Sequence, residues 1–236
     1  MEGYLKKNSD RVHIRKFGVD NTIWAPDKDE KISAVYSHKN MAGKEENKEK
    51  LLSKYSLKIA KNAPLVGCIW NGGDYSALKK QVEALKKIGG AMVVADKSAS
   101  DEQLAKFKEI APESIGVVKL LTIMTIKQLL AGSDIIILSP DKYKDLLHIK
   151  ALNYGAVPVV PKTGYFWDDI VEDDSEGMGF LYDANDNKSF ADALKRALDL
   201  FKDQKTWVAL QKRGMKNEFN WNKIAKQYFE IYETLI

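Results

Sequence analysis

From Pro64 onward the chain alternates short, nearly uninterrupted apolar runs with longer stretches whose apolar residues recur every three or four positions. Continuous apolar runs suit strands buried on both faces, and the helical period between them suits crossovers that cover those faces. Strands are predicted over residues 64–70, 91–96, 114–121, 134–140, 157–161 and 179–183. Between them, residues 74–88 place Leu78, Val82, Leu85 and Ile88 on one helical face, and residues 101–110 and 144–153 repeat the pattern. Each of these helices starts beside an acidic residue, which suits a helix N-terminus.

The two ends of the chain read differently. Residues 189–201 and 221–235 are long amphipathic helical stretches with no strand between them, placed to cap the sheet. Before the alternation begins, a short β-like piece at 11–20 leads into a loop and then a charged helical stretch, 43–58, whose alternating Lys and Glu read as a solvated face. The expected architecture is therefore an α/β Rossmann-like, doubly wound parallel sheet with long C-terminal helices. It divides into a lead-in segment and charged helix (1–62), a sheet domain (63–188) and C-terminal helices (189–236). No internal repeat or low-complexity segment interrupts this plan.

Composition narrows the function. A chain of 236 residues, 44% hydrophobic, can bury a substantial core. Its 37 Lys+Arg against 33 Asp+Glu leave a net charge of only +4, interspersed along the chain, which gives little drive toward a polyphosphate backbone; nucleic acid is not an expected partner. No stretch approaches the roughly 20 apolar residues of a bilayer span, and no apolar signal core follows Met1, so a cytoplasmic protein without membrane contact is expected. The single cysteine, Cys68, sits in an apolar run as a buried, inert thiol, and His13, His38 and His148 are too scattered for a clustered zinc site. No cofactor is expected.

A family resemblance enters at GVDNTIWAP (18–26), which resembles the turn, usually written GIDTDVWNP, that opens the C-terminal domain of bacterial glycogen and starch synthases. In the same order follow ISAVYS (32–37), GKEENK (43–48), APLVG (63–67), LLAGSDIIILSP (129–140), ALNYGAVPVV (151–160), GFLYDAND (179–186) and FNWNKIAKQY (219–228), each similar to a landmark of that family. The resemblance runs essentially the full length. It implies the second of the two domains that face each other in the glycosyltransferase B arrangement, with the acceptor-side domain not represented and Met1 falling in the hinge region of longer synthases.

The resemblance also implies a chemistry. Retaining transfer of glucose from ADP-glucose needs positive charge on the diphosphate leaving group. In the family an arginine and a lysine supply it from a loop resembling SRLxxQKG after the first strand. Here that stretch reads IWNGGDYSALK (69–79), shorter by about three residues on alignment, and the loop holds neither cation. Lys79 and Lys80 fall further on, in the following helix, on an expected solvated face. The turn Gly72-Gly73-Asp74 carries two readings: Gly72 and Gly73 offering backbone N–H groups to an anion, or a tight strand-to-helix turn with Asp74 as an acidic cap.

Three further positions depart from the family. Where active synthases resemble RFEPCGL, this chain reads PDKYKDL (140–146), placing Lys142 at the glutamate near the donor sugar and Asp145 at a glycine. The first change inverts a charge and the second adds a side chain where backbone approaches ligand. Where the family resembles TGGL, Thr163 and Gly164 persist as nucleotide-sugar-binding candidates, followed by Tyr165, Phe166 and Trp167. Tyr165 and Trp167 are candidates for stacking on a hexose, or else the aromatics fill an empty donor pocket or pack against the terminal helices. Leu121 stands where the family has a tyrosine near the adenine.

Three functional readings follow. The first is a catalytically inert synthase-like domain acting as a binding, regulatory or assembly module in glucan metabolism, with glucan or nucleotide sugar as ligand. The second is the donor-binding half of an active ADP-glucose- or UDP-glucose-dependent glucosyltransferase, and the third a structural domain without ligand. The terminal helix, with Trp221, Ile224, Tyr228, Ile231, Tyr232 and Leu235 on one broad apolar face, points to contact with a second domain, a partner protein or another copy of the chain.

Overall fold

The computed structural model describes residues 17–70, 75–139, 145–164, 166, 169–173, 175–217 and 219–234. Six strands, β1 (Leu65–Trp70), β2 (Ala91–Asp96), β3 (Ile115–Val118), β4 (Ile135–Leu138), β5 (Val157–Pro161) and β6 (Phe180–Tyr182), form one parallel sheet. Their order, β3-β2-β1-β4-β5-β6, means the chain builds outward from β1 to one edge and then fills the other half from β4. Helices α1 (Ala42–Tyr55), α2 (Ser76–Lys87), α3 (Asp101–Glu109), α4 (Ile123–Gly132), α5 (Leu147–Asn153), α6 (Asn187–Phe201), α7 (Gln204–Met215) and α8 (Trp221–Glu233) complete the described elements.

Successive strand residues feed opposite faces, so each strand contributes to two cores. Leu65, Ile69, Val93, Ile136 and Leu138 pack with Leu51 of α1, Leu129 and Leu130 of α4, and Ile149 and Leu152 of α5. On the other face Val66, Met92, Val94, Ile135 and Ile137 meet Leu78 and Leu85 of α2, Phe107 of α3, Leu194 of α6 and Trp207 of α7. Each such large apolar side chain, fully buried, contributes roughly 1.5–3 kcal/mol. Cys68 lies in this second layer, fully buried, and burial raises its thiol well above the ordinary range. Gly67 must lack a side chain because a Cβ there would come within 2.5 Å of Ser133 Oγ and 2.7 Å of Ile136 Cδ1.

All six apolar runs are strands, but the third stops at Val118 rather than at residue 121. The chain then turns, leaving Leu120 70% exposed. Of the helix starts expected beside an acidic residue, that of α3 holds, with Asp101 and Glu102 in its first turn, whereas α2 and α5 have no acidic residue in theirs. α3 is capped by Ser100, whose side chain accepts from Gln103 N while its own N–H donates to Gln103 Oε1; Asp101 adds favourable charge in the first turn. α2 begins after Tyr75 and α5 after Leu146, neither with a side-chain cap. Two helices, α4 and α7, have no counterpart in the sequence reading. The piece at 11–20 is described only from residue 17, where Val19 forms an isolated parallel bridge with Asn220.

The largest correction concerns α1. Its alternating charges are not all solvated: Lys44, Asn47 and Lys48 are buried with Leu51. Lys44 Nζ donates to the carbonyls of Leu130 (3.4 Å), Ala131 (3.1 Å), Ser133 (3.0 Å) and Tyr154 (2.9 Å). These are carbonyls at and just beyond the C-termini of α4 and α5, where intrahelical donors run out and the helix dipole favours a cation. Lys48 Nζ pairs with Asp134 Oδ2 at 2.9 Å and donates to Ala63 O, while Leu65 N donates to the same Asp134 oxygen at 2.8 Å. One charged helix thus joins the start of β1 to the start of β4.

Burial pulls the Lys44 pKa from 10.5 down to about 7, with Asp134 opposing and Lys48 adding to the fall. Above pH 7 the unfolded chain then holds a proton on Lys44 that the folded chain loses, so the fold gains stability as pH rises. Between pH 7 and 8.5 this gain is at most about 2 kcal/mol. Above about 9 the raised Cys68 thiol begins to act in the opposite sense. Urea-unfolding midpoints are expected to increase from pH 7 to 8.5 in the unmodified chain, and the increment to be absent in Lys44→Met.

The segment at 18–26 is a structural clip. Asp20 closes it by accepting from Thr22 N and Oγ1, and Trp24 N donates to Asp20 O. Trp24 then lies beneath two ammonium groups, Lys150 at 4.3 Å and Lys127 at 5.5 Å from its ring, while Asn153 Nδ2 donates to its carbonyl. Lys127 pairs with buried Asp29 at 3.1 Å, and Tyr154 OH donates to the same carboxylate.

Candidate functional site

A sheet of this strand order opens a crevice beyond the carboxyl ends of its two central strands, where the connections diverge to opposite faces. Here those strands are β1 and β4. The crevice is bordered by Trp70 at the end of β1, Leu138 and Ser139 at the end of β4, the turn at 162–164 after β5, and the first turn of α5. Gly72, Gly73, Asp74, Lys142, Tyr165 and Trp167 lie outside the described residues.

Thr163 and Gly164 are both exposed at this edge. Gly164 has φ +53°, in the left-handed region, and a Cβ there would meet open space, so its glycine is required by backbone conformation rather than by crowding. The Thr163 amide already donates to Pro161 O at 2.8 Å, and Phe166 N donates to Thr163 O at 3.3 Å. Asp145 is exposed, and Leu146 after it adopts a left-handed φ of 49° immediately before α5. Lys79 and Lys80 are exposed, as the solvated reading requires, and Lys80 borders a groove between α2 and α6.

Phe166 fills space behind the turn. It is 7% exposed, and its ring meets the His148 imidazole edge-on at 4.9 Å between centroids. His148, second residue of α5, faces Asp169 with Nε2 to Oδ2 at 2.8 Å, both residues buried. Nε2 faces the carboxylate, and Nδ1 finds no hydrogen-bond partner among the described residues. The pair ties the segment after β5 to the start of α5. No spacing rule connects a histidine to an aspartate 21 positions later.

Elsewhere along the same edge polar groups are committed to one another. Asp96 at the end of β2 accepts from Tyr75 OH (3.1 Å), Ser98 N (2.9 Å) and Ser98 Oγ (2.8 Å), and burial together with that carboxylate raises the Tyr75 phenol. Tyr182 OH donates to Leu138 O at 2.8 Å. Leu121 is partly buried against the core, while Ile123 (59% exposed) and Met124 (48%) join Leu120 in an apolar rim at the start of α4. Among the described residues no group of three or more His, Cys, Asp or Glu is placed to hold a metal, and no helix is long and apolar enough to cross a membrane.

The sheet order, the helices on both faces and the crevice define a Rossmann-like domain of the glycosyltransferase B class. Over its whole length the chain is similar to glycogen synthases and resembles their C-terminal half. Glycogen synthase of Geotalea daltonii is 32% identical across 100% of this chain, which spans 51% of that enzyme. The chain thus spans about half the length of the curated relatives it matches. Among solved structures, the catalytic domain of starch synthase IV from Arabidopsis thaliana, bound to ADP and acarbose, superposes with a TM-score of 0.83 at 26% identity, over 98% of this chain and 50% of that one. The C-terminal domain of a glycosyl transferase group 1 family protein from Francisella tularensis shares the fold, with TM-score 0.58 and 17% identity over 84% of this chain and 95% of that one. No family model matches the chain.

Proposed function

We propose that this synthase-like domain transfers no glucose and acts as a binding, regulatory or assembly module in glucan metabolism. The observation that carries the reading is the packing at the first turn of α5. Buried Phe166 and the His148–Asp169 pair occupy the ground between α5 and the turn after β5, beside the edge where a donor would approach. The sequence at that edge agrees: no arginine–lysine pair follows β1, and Lys142 stands where the resemblance implies a glutamate. A leaving diphosphate would find no fixed positive charge in the loop after β1, and such charge is the main catalytic need of the reaction.

The Arabidopsis relative's ligands, ADP and acarbose, set the ligand classes to test. The purified chain is expected to show no transfer of glucose from ADP-glucose or UDP-glucose to glycogen, followed as release of labelled nucleotide. Lys142→Glu is expected not to restore turnover, because the cations after β1 would still be missing. Turnover in the unmodified chain that is abolished by Lys142→Ala would replace this reading with that of an active donor-binding half. Binding of neither nucleotide sugar nor glucan would leave a purely structural domain.

A further inference from the structure

α2 and α6 lie on the sheet face whose core includes Trp207, and between them runs a groove of about 860 Å³. Its lining is largely small and apolar: Ala77 and Ala84, two turns apart on α2, and Ala191 of α6, with Ile88 and Leu198 at the end far from the crevice. The described lining carries four lysines against two aspartates. Asp199 is held between Lys195 and Lys202. Lys188, in the first turn of α6, and Lys80, in the second turn of α2, have no ion pair among the described residues. The groove is also across the sheet from the outer segments of the chain. Val19, Trp24, Tyr36 and Phe219 pack in the core of the opposite face, and Val19 bridges there to Asn220 at the start of α8.

Form and charge together select an occupant. α2 spans about 18 Å, so the groove averages about 50 Å² in section, comparable with about 40 Å² for half of a helix 10 Å across. A single alkyl chain would leave most of that section empty. Among the described residues no aromatic ring lines the groove, so a hexose finds nothing to stack on. A small free anion would meet Asp186, the N-cap of α6, and Asp192 within the next two turns.

We propose that the α2/α6 groove docks an amphipathic helix of a partner protein, one with a face of small residues and carboxylates in its last turn; this deepens the assembly part of the function proposed above and rests on it. Charge fixes the direction. Running antiparallel to α2 and α6, the partner helix brings its terminal carboxylates to Lys80 and Lys188, and a basic residue one turn earlier meets Asp192. The same direction sets the negative end of its dipole against the positive ends of α2 and α6. The alanines lining the groove let a third helix approach closely, ridge into groove.

A fluorescent synthetic peptide of about 14 residues, held helical by a hydrocarbon staple, tests this against the full chain by anisotropy. It carries alanines on one face, glutamines on the other, one lysine at mid-length and two glutamates in its last turn. Saturable binding is expected at about 10–100 µM. Peptides with the glutamates moved to the first turn, or replaced by lysines, are expected to bind at least about tenfold more weakly. Lys80→Glu with Lys188→Glu should invert the preference toward the lysine-ended peptide, a result that a damaged fold would not give. Ala84→Trp, at an exposed position, should abolish binding of all three. No binding of the glutamate-ended peptide at about 1 mM, equal binding of the three peptides, or undiminished binding by Ala84→Trp would overturn the proposal. So would displacement of the peptide by maltoheptaose, which would assign the groove to glucan, or self-association of the chain that Ala84→Trp removes, which would assign it to a second copy. None of these readouts depends on turnover. Glucose transfer with peptide binding intact would sink the wider reading alone, and failure of the peptide leaves the transfer assay to judge that reading.

Discussion

Lys44→Met lowers the thermal midpoint by on the order of 10 °C, corresponding to roughly 3 kcal/mol in a chain of this size. The substitution keeps the aliphatic stem and removes only the ammonium, so packing is nearly conserved. What is lost is the shared donor of four carbonyls. A buried carbonyl without a donor costs about 1–3 kcal/mol, and water cannot reach this position cheaply because Lys44 is 6% exposed. Tyr154 O keeps a bond from Tyr36 OH at 2.8 Å, so the penalty falls mainly on the carbonyls at the end of α4. Lys50→Met, on the exposed side of the same helix, is the control and should change stability by no more than about 0.5 kcal/mol. Paired thermal melts followed by circular dichroism make the comparison; equal midpoints for the two variants would remove Lys44 from any structural role.

ADP-glucose should bind this chain in the millimolar range or not measurably. Each charge-assisted hydrogen bond to a diphosphate is worth about 1.5–3 kcal/mol, so losing both cations that the family resemblance implies weakens binding by at least about a hundredfold. Asp74 in the same loop adds repulsion. A neutral maltooligosaccharide meets no such charge penalty and has Tyr165 and Trp167 as stacking candidates. Titration calorimetry with both ligands decides. Micromolar ADP-glucose affinity would restore the glucosyltransferase reading, and loss of oligosaccharide heat in Trp167→Ala would place the sugar on the aromatic segment.

The sheet was legible because its strands are buried on both faces, which leaves apolar runs that little else produces. Helices were legible where one face alone is apolar, as in α2 and α6. α7 was not, because its inward face includes Gln211 and Gly214, one donating to Gly155 O and the other packed on Leu152, so its apolar period is broken. α4 was hidden because Thr125, Lys127 and Gln128 interrupt its apolar residues and its last turn, 129–132, reads as the approach to β4. The inward charges of α1 were illegible for a related reason: a lysine that serves helix C-termini looks, in sequence, like one that faces water. At the crevice the sequence located the loops, but the contact between His148 and Asp169 exists only once β5 and α5 are packed side by side.

The placement of β4 beside β1 has a consequence for a chain still being synthesised. β1, β2 and β3 emerge in succession with α2 and α3 and can pair as they appear, but the other side of β1 stays open until Leu138 has left the ribosome. An unpaired strand edge is a template for wrong pairing, and parallel partners joined through long crossovers meet slowly. The vulnerable seam of the nascent molecule therefore runs through the middle of the finished sheet rather than along its rim. Asp134, the residue just ahead of β4, finds Leu65 and Lys48 already made when it arrives, and its carboxylate closes that seam.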